Sequence, residues 1–211
     1  MTRIVAIGEC MVEMAPVATE GQFRLGYAGD TLNTAWYLRR LLGASDQIDY
    51  FTAVGTDAVS DKMIDFLQQA GIGTTYILRR DDKGVGLYMI QLQDGERSFS
   101  YWRSDSAARS LAAYPAPLQA ALDDADLAYF SGITLAILPP ADRTRLLTAL
   151  RRFRSGGGIV VFDPNLRPKL WASPDEMTQT VMQAAVVSDI ALPSYDDEAN
   201  WFVDERPEAT L

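Results

Sequence analysis

The sequence predicts an α/β fold in which a mostly parallel sheet is covered by helices, and three observations predict it. Apolar, β-branched runs such as residues 3–8 and 159–163 suit strands buried on both faces. Amphipathic stretches of helical period alternate with these runs through short links, the beat of strand-helix-strand crossovers. A third signal, Asp94-Gly95 between two β-rich runs, marks a hairpin.

Residues 3–8 form the first strand and end at Gly8-Glu9. Residues 11–26, with Pro16 and Gly21, read as an excursion from the sheet. The stretch 29–42 organises the chain: small and polar residues open it, and Leu32, Ala35, Trp36, Leu38 and Leu42 form a stripe at helical spacing. Gly29 lets a ligand approach the backbone, Asp30 or Thr31 can cap the free amides, and Asn33 projects from a first turn whose dipole favours electron-rich groups. An ordinary capped helix would look the same.

A strand at 48–54, a helix at 58–70 with Ile64, Phe66, Leu67 and Ala70 inward, and a strand at 74–78 follow. In the hairpin 85–103, a two-residue turn sets Gln93 opposite Glu96 and Tyr88 opposite Tyr101. Tyr88, Ile90, Phe99, Tyr101 and Arg103 then share one face. Such a face can stack on a ligand and clamp an acid, or serve packing alone. Residues 104–109 read as a loop and 115–122 as a helix. Next come a strand at 126–130, a loop at 131–138, a helix at 139–154, a strand at 159–163, a helix at 175–187, a strand at 189–192 and a helix from Tyr195. Ligands gather at the carboxyl ends of such strands, where Gly8-Glu9, Ser131-Gly132 and residues 163–167 lie. Two prolines stiffen Asp163-Pro-Asn-Leu-Arg-Pro168 around Asn165 and Arg167, and a rigid amide and guanidinium suit anions.

Composition narrows the chemistry. With 211 residues, 48% of them hydrophobic and 22% charged, the chain suits one sizeable core. The absence of histidine excludes Ser-His-Asp and Cys-His catalysis and every His-ligated metal site within this sequence, and the one cysteine, Cys10, cannot form an intrachain disulfide. A formal charge of −9 with scattered basic residues disfavours nucleic acid as a partner. No apolar run approaches the ~18 residues of a membrane span, and no signal-peptide pattern opens the sequence, so a cytoplasmic location is expected. The Gly-x-x-x-x-Gly-Lys-Ser/Thr and Gly-x-Gly-x-x-Gly phosphate loops are both missing from the sequence.

The motifs Gly8-Glu-Cys-Met-Val-Glu13, Gly29-Asp-Thr-Leu-Asn-Thr34, Gly55-Thr-Asp57, Tyr101-Trp-Arg103, Ser131-Gly-Ile-Thr-Leu-Ala-Ile137, Asp163-Pro-Asn-Leu-Arg-Pro-Lys-Leu-Trp171 and Asp196-Asp-Glu198 resemble those of the ribokinase-like (PfkB) sugar kinases, within them the branch acting on 2-dehydro-3-deoxygluconate. The resemblance covers nearly the whole chain. It implies a ribokinase-like α/β domain over 1–211 with a small β-sheet lid from about 11–27 and 85–103. It further implies phosphorylation of a ketoaldonic acid at its terminal hydroxyl with ATP and Mg2+, and homo-oligomers formed through the lid.

By the same resemblance Gly29, Asp30, Thr31 and Asn33 bind sugar oxygens, and Tyr88 and Tyr101 line the lid side. Arg103 and Arg167 meet the acid end, while Asn165, Arg167 and Asp197 face the nucleotide phosphates. Two departures stand out. Ser194-Tyr-Asp-Asp197 replaces the family's Asn-x-x-Glu, and the Gly-Ala-Gly-Asp run carrying the catalytic aspartate is absent. The sequence is therefore expected to lack the family's carboxyl-terminal third and, alone, to be inactive, with no catalytic residue and no metal ligand of its own. The alternatives are a kinase of a neutral sugar such as fructose or ribose, and a sugar-acid-binding fragment without catalysis.

Overall fold

A computed structural model describes residues 1–93, 96–202 and 205–206. Strand β1 (Arg3–Ile7) leads into the antiparallel pair β2 (Met11–Pro16) and β3 (Phe23–Ala28), after which α1 (Asp30–Leu41) returns to β4 (Gln47–Phe51). β5 (Ala53–Gly55), α2 (Ala58–Gln69) and β6 (Leu78–Arg80) precede the hairpin β7 (Leu87–Gln93) and β8 (Glu96–Trp102). The second half runs α3 (Pro115–Asp123), β9 (Leu127–Ser131), α4 (Gly132–Ile137), α5 (Pro140–Ser155), β10 (Ile159–Asp163), α6 (Pro174–Val187), β11 (Ile190–Ala191) and α7 (Tyr195–Trp201).

Among the described residues the central sheet has the order β11-β10-β9-β1-β4, every pair parallel. Alternation along β1 sends Val5 and Ile7 into one apolar layer and Ile4 and Ala6 into the other. Phe130 and Phe162 pack with tilted rings across β9 and β10, centroids 4.8 Å apart, in the first layer, and Tyr50, Met63 and Leu67 fill the second. After β4 the chain crosses to the other side of β1, so strand order reverses there and opens a crevice at the strands' carboxyl ends. A second sheet, β3-β2-β7-β8, stands over that crevice. The hairpin register places Tyr88 opposite Tyr101 and Gln93 opposite Glu96, as its spacing requires, while Asp94-Gly95 lies outside the described residues. No helix among the described residues is long and apolar enough to cross a membrane.

Four expectations need correction. The run 48–54 is two strands: the chain leaves the main sheet at Thr52, whose carbonyl accepts from Leu78 N, and β5 pairs with β6 instead. The following strand begins at Leu78, because Ile77 N bonds Thr74 O and makes 74–77 a turn. Residues 131–138 hold α4, started by the Ser131-Thr134 capping box. Residues 107–110 form a 3-10 turn that buries Ala107 and Ala108. In α2 the expected Ile64, Phe66, Leu67 and Ala70 all pack on the second layer, joined by buried Ser60 and Met63.

Asp57 caps α2, accepting from Val59 N at 2.9 Å, Ser60 N at 3.0 Å and Ser60 Oγ at 2.7 Å. Desolvation works to raise its carboxyl pKa, but the bonds from Ser60 and Val59 outweigh it and hold it below the ordinary value. Asp57→Ala is expected to lower stability by about 1 kcal/mol, read from the urea midpoint. The folded pKa is depressed, so the cap's contribution is full above the unfolded value of about 3.9 and is lost as pH falls through the folded one.

Candidate active site

The crevice is a cleft of about 240 Å³ between the sheet's carboxyl ends and the second sheet. Gly29, Asp30, Asn33, Tyr88, Tyr101, Arg103, Asn165 and Arg167 all line it, together with Glu9, Phe99 and Ile133. Thr31 and Asp197 do not. Thr31 is buried, its hydroxyl 2.9 Å from that of Tyr50, and Asp197 sits on α7 away from the cleft lining.

The floor begins at Gly29, where the backbone is extended and a β-carbon would be driven into the Glu9 carbonyl oxygen. Gly29 is the cap residue of α1, with no side-chain bond to the free amides, contrary to the capping expected from Asp30 or Thr31. Asp30 instead accepts from Asn165 Nδ2 at 3.0 Å, joining the start of α1 to the loop after β10. Among the described residues Asn165 is the one non-glycine with positive φ, 35°, a conformation asparagine tolerates better than most residues and that the bond to Asp30 helps hold. Gly132 lets α4 approach the same loop, since a β-carbon there would meet the Pro164 carbonyl oxygen.

Behind Asp30, Thr34 Oγ1 donates to Tyr129 OH at 3.2 Å, which donates to Asp163 at 3.3 Å. Burial raises the Asp163 pKa and the Asp30 charge adds to it, against the lowering effect of Tyr129, the Asn165 backbone and Arg167. Burial likewise pushes the Tyr129 phenol up. Arg167 is exposed, donates to Leu166 O at 2.6 Å, and has no carboxylate at ion-pair distance among the described residues.

The roof is the aromatic face of the hairpin. Tyr88 lies 5.8 Å from Tyr101 and 6.1 Å from Phe99, ring centroid to centroid. Tyr88 is buried and donates its hydroxyl to Glu13, whereas Tyr101 is exposed at the mouth. Arg103 ends this face, but its guanidinium is already engaged: Nη2 bonds the buried carboxylate of Glu9, which also accepts from Ser106 Oγ. Burial raises the Glu9 pKa, opposed by the charge of Arg103 and the hydroxyl of Ser106. Sequence reasoning had placed Glu9 in a motif at a strand end without giving it a role, and missed Ser106 altogether. No local signal joins residue 9 to residues 103 and 106, because the lid strands intervene.

Arg143 braces the loop from outside. It donates to Leu135 O at 2.7 Å and Leu138 O at 3.0 Å, pairs with Glu176, and stacks on Trp171 at 4.8 Å from the ring centre. Among the described residues no cluster of three or more His, Cys, Asp and Glu is arranged to hold a metal ion.

A parallel sheet with a cleft at its reversal point, roofed by a small sheet carrying tyrosines and an arginine, defines the class of lidded α/β proteins that hold small polar ligands. The chain belongs to the pfkB family of carbohydrate kinases, which it matches over residues 1–210. It is 42% identical over 217 residues to the 2-dehydro-3-deoxygluconokinase of Haemophilus influenzae, covering 100% of this chain and 68% of that protein. With the enzyme of that name from Dickeya dadantii it shares 44% over 200 residues, covering 92% and 64%. The chain thus spans about two thirds of the length of these curated relatives. Among solved structures, a PfkB protein from Polaromonas sp. superposes with TM-score 0.88 at 24% identity, covering 99% of this chain and 71% of that one. Fructokinase with bound ATP from Xylella fastidiosa superposes with TM-score 0.81 at 25% identity, covering 95% and 61%.

Proposed function

We propose that the whole protein transfers the γ-phosphate of ATP to the terminal hydroxyl of 2-dehydro-3-deoxygluconate. The observation that carries the reading is the pairing of hydroxyl-binding groups on α1 with two arginines at one cleft, in a chain over 40% identical to kinases named for that sugar acid. Gly29, Asp30 and Asn33 receive sugar oxygens, Tyr88 and Tyr101 cover the sugar, and Arg103 and Arg167 hold the carboxylate. Thr31 supports this edge through Tyr50 rather than by contact.

ATP supplies the phosphoryl group, and Mg2+ offsets phosphate charge. Asn165 and Arg167 face the phosphates, although the Asn165 amide is shared with Asp30, and Asp197 contributes from α7. No carboxylate lining the described cleft is a free base: Asp30 is held by Asn165, and Glu9 by Arg103 and Ser106. The 211 residues alone therefore bind the acid without turning it over. The protein acts in the cytoplasm as a single lidded domain. It assembles with a second copy through the lid, where Leu25, Leu92, Phe99 and Trp102 are exposed.

The test is an ADP-release assay on a chain extended to the relatives' full length, beside calorimetry on the 211 residues. ADP release with ATP and 2-dehydro-3-deoxygluconate, and acid binding without ADP release by the shorter chain, are expected. Turnover of fructose or ribose in place of the acid would overturn the reading. A neutral sugar leaves Arg167 facing the cleft with no anion to meet.

A further inference from the structure

The two arginines of the cleft are in opposite electrostatic states. The Arg103 side chain is 11% exposed and lies against a Glu9 carboxylate that is 1% exposed, so the pair is close to neutral as the cleft sees it. Glu9 and Ser106 also fix the guanidinium in place, and its Nε is buried with no partner in the protein. Arg167 is the reverse: exposed, bonded to a backbone carbonyl, and with no acid at ion-pair distance among the described residues, it keeps a full positive charge toward the cleft.

We propose that Arg167 alone supplies the charge that selects an anionic substrate, that Arg103 is a neutralised, oriented hydrogen-bond donor, and that Glu9 is a positioning residue acting through Arg103. The proposal rests on the sugar-acid reading above and divides its two arginine roles. An ion pair spends its field on its own partner, so Arg103 discriminates poorly between a carboxylate and a neutral oxygen acceptor. Its directionality survives, because a guanidinium held at one edge presents its other donors at fixed angles.

Calorimetry of the 211-residue chain tests this with two ligands, 2-dehydro-3-deoxygluconate and its neutral counterpart in which the carboxylate is reduced to a primary alcohol. Arg167→Met is expected to weaken the acid by about 30-fold and the alcohol by less than about threefold, collapsing the preference. Glu9→Gln keeps the shape and the link to Ser106 but not the charge. Because it also unmasks the Arg103 charge, it is expected to weaken the alcohol by about tenfold and the acid by less, raising the acid-to-alcohol ratio, and to change neither ligand in an Arg103→Met background, the signature of action through Arg103.

Glu9→Gln and Arg103→Met effects that add would overturn the positioning role, and an unchanged acid-to-alcohol ratio in Glu9→Gln would overturn the neutralisation of Arg103. An unchanged ratio in Arg167→Met would overturn the division of charge. If Glu9→Gln does not fold, Ser106→Ala reads the same axis: a loss of about threefold on both ligands supports the proposal, and wild-type binding refutes it. Equal wild-type affinity for acid and alcohol would instead sink the sugar-acid reading, and the Glu9-Arg103 coupling would still be read on the alcohol.

Discussion

Gly29→Ala is expected to weaken binding of 2-dehydro-3-deoxygluconate by about 100-fold and to lower stability by about 1–3 kcal/mol. The backbone angles are not the reason, since Gly29 is extended and any residue adopts that conformation. The reason is contact. The new methyl group meets the Glu9 carbonyl oxygen, which belongs to the backbone between β1 and β2 and cannot swing aside as a side chain would. Relief requires the start of α1 to move away from β1, and Asp30 and Asn33 move with it. Asp30 is tied to Asn165, so the displacement passes into the loop after β10. Urea denaturation and calorimetry on the same preparation separate the two effects, and retained affinity would show that the floor of the cleft adapts.

Arg143→Met is expected to cost about 2–4 kcal/mol, far more than an exposed ion pair, although it is remote from any ligand contact. Its side chain is 13% exposed and holds four partners at once: two carbonyls at the end of α4, the Glu176 carboxylate and the face of Trp171. Removing it takes the donor from the Leu138 carbonyl, leaves the Leu135 carbonyl with Leu138 N alone, and unpins Trp171 at the end of the loop that carries Asn165 and Arg167. A drop in the urea midpoint accompanied by weaker acid binding is the expected pattern. Glu176→Gln provides the contrast. Its side chain is 30% exposed and it also accepts from Ala172 N at 3.3 Å, so the expected loss is about 1 kcal/mol or less. The bond from Arg143 depresses the Glu176 pKa, so that contribution is present at neutral pH and lost as acid protonates the folded-state carboxylate.

The parts of this protein legible from sequence are those fixed by neighbours in the chain. A two-residue turn determines that Tyr88 faces Tyr101, because strand pairing counts outward from the turn. The apolar stripe from Leu32 onward determines a helix. The motifs carried the family, and most of the site residues they pointed to line one cleft.

Tertiary structure decided what those residues do to one another. An apolar run from Ile48 to Val54 carries no mark at Thr52; the break arises because Leu78 arrives to claim the Thr52 carbonyl. Asp30 could cap α1 or bond across the cleft, and packing brings Asn165, 135 residues away, close enough to take it. Arg103 likewise reads as a free cation until folding sets it against Glu9, 94 residues before it. Periodicity and turn chemistry act over a few residues, whereas the charge state of a cleft depends on which buried groups the whole fold brings into contact.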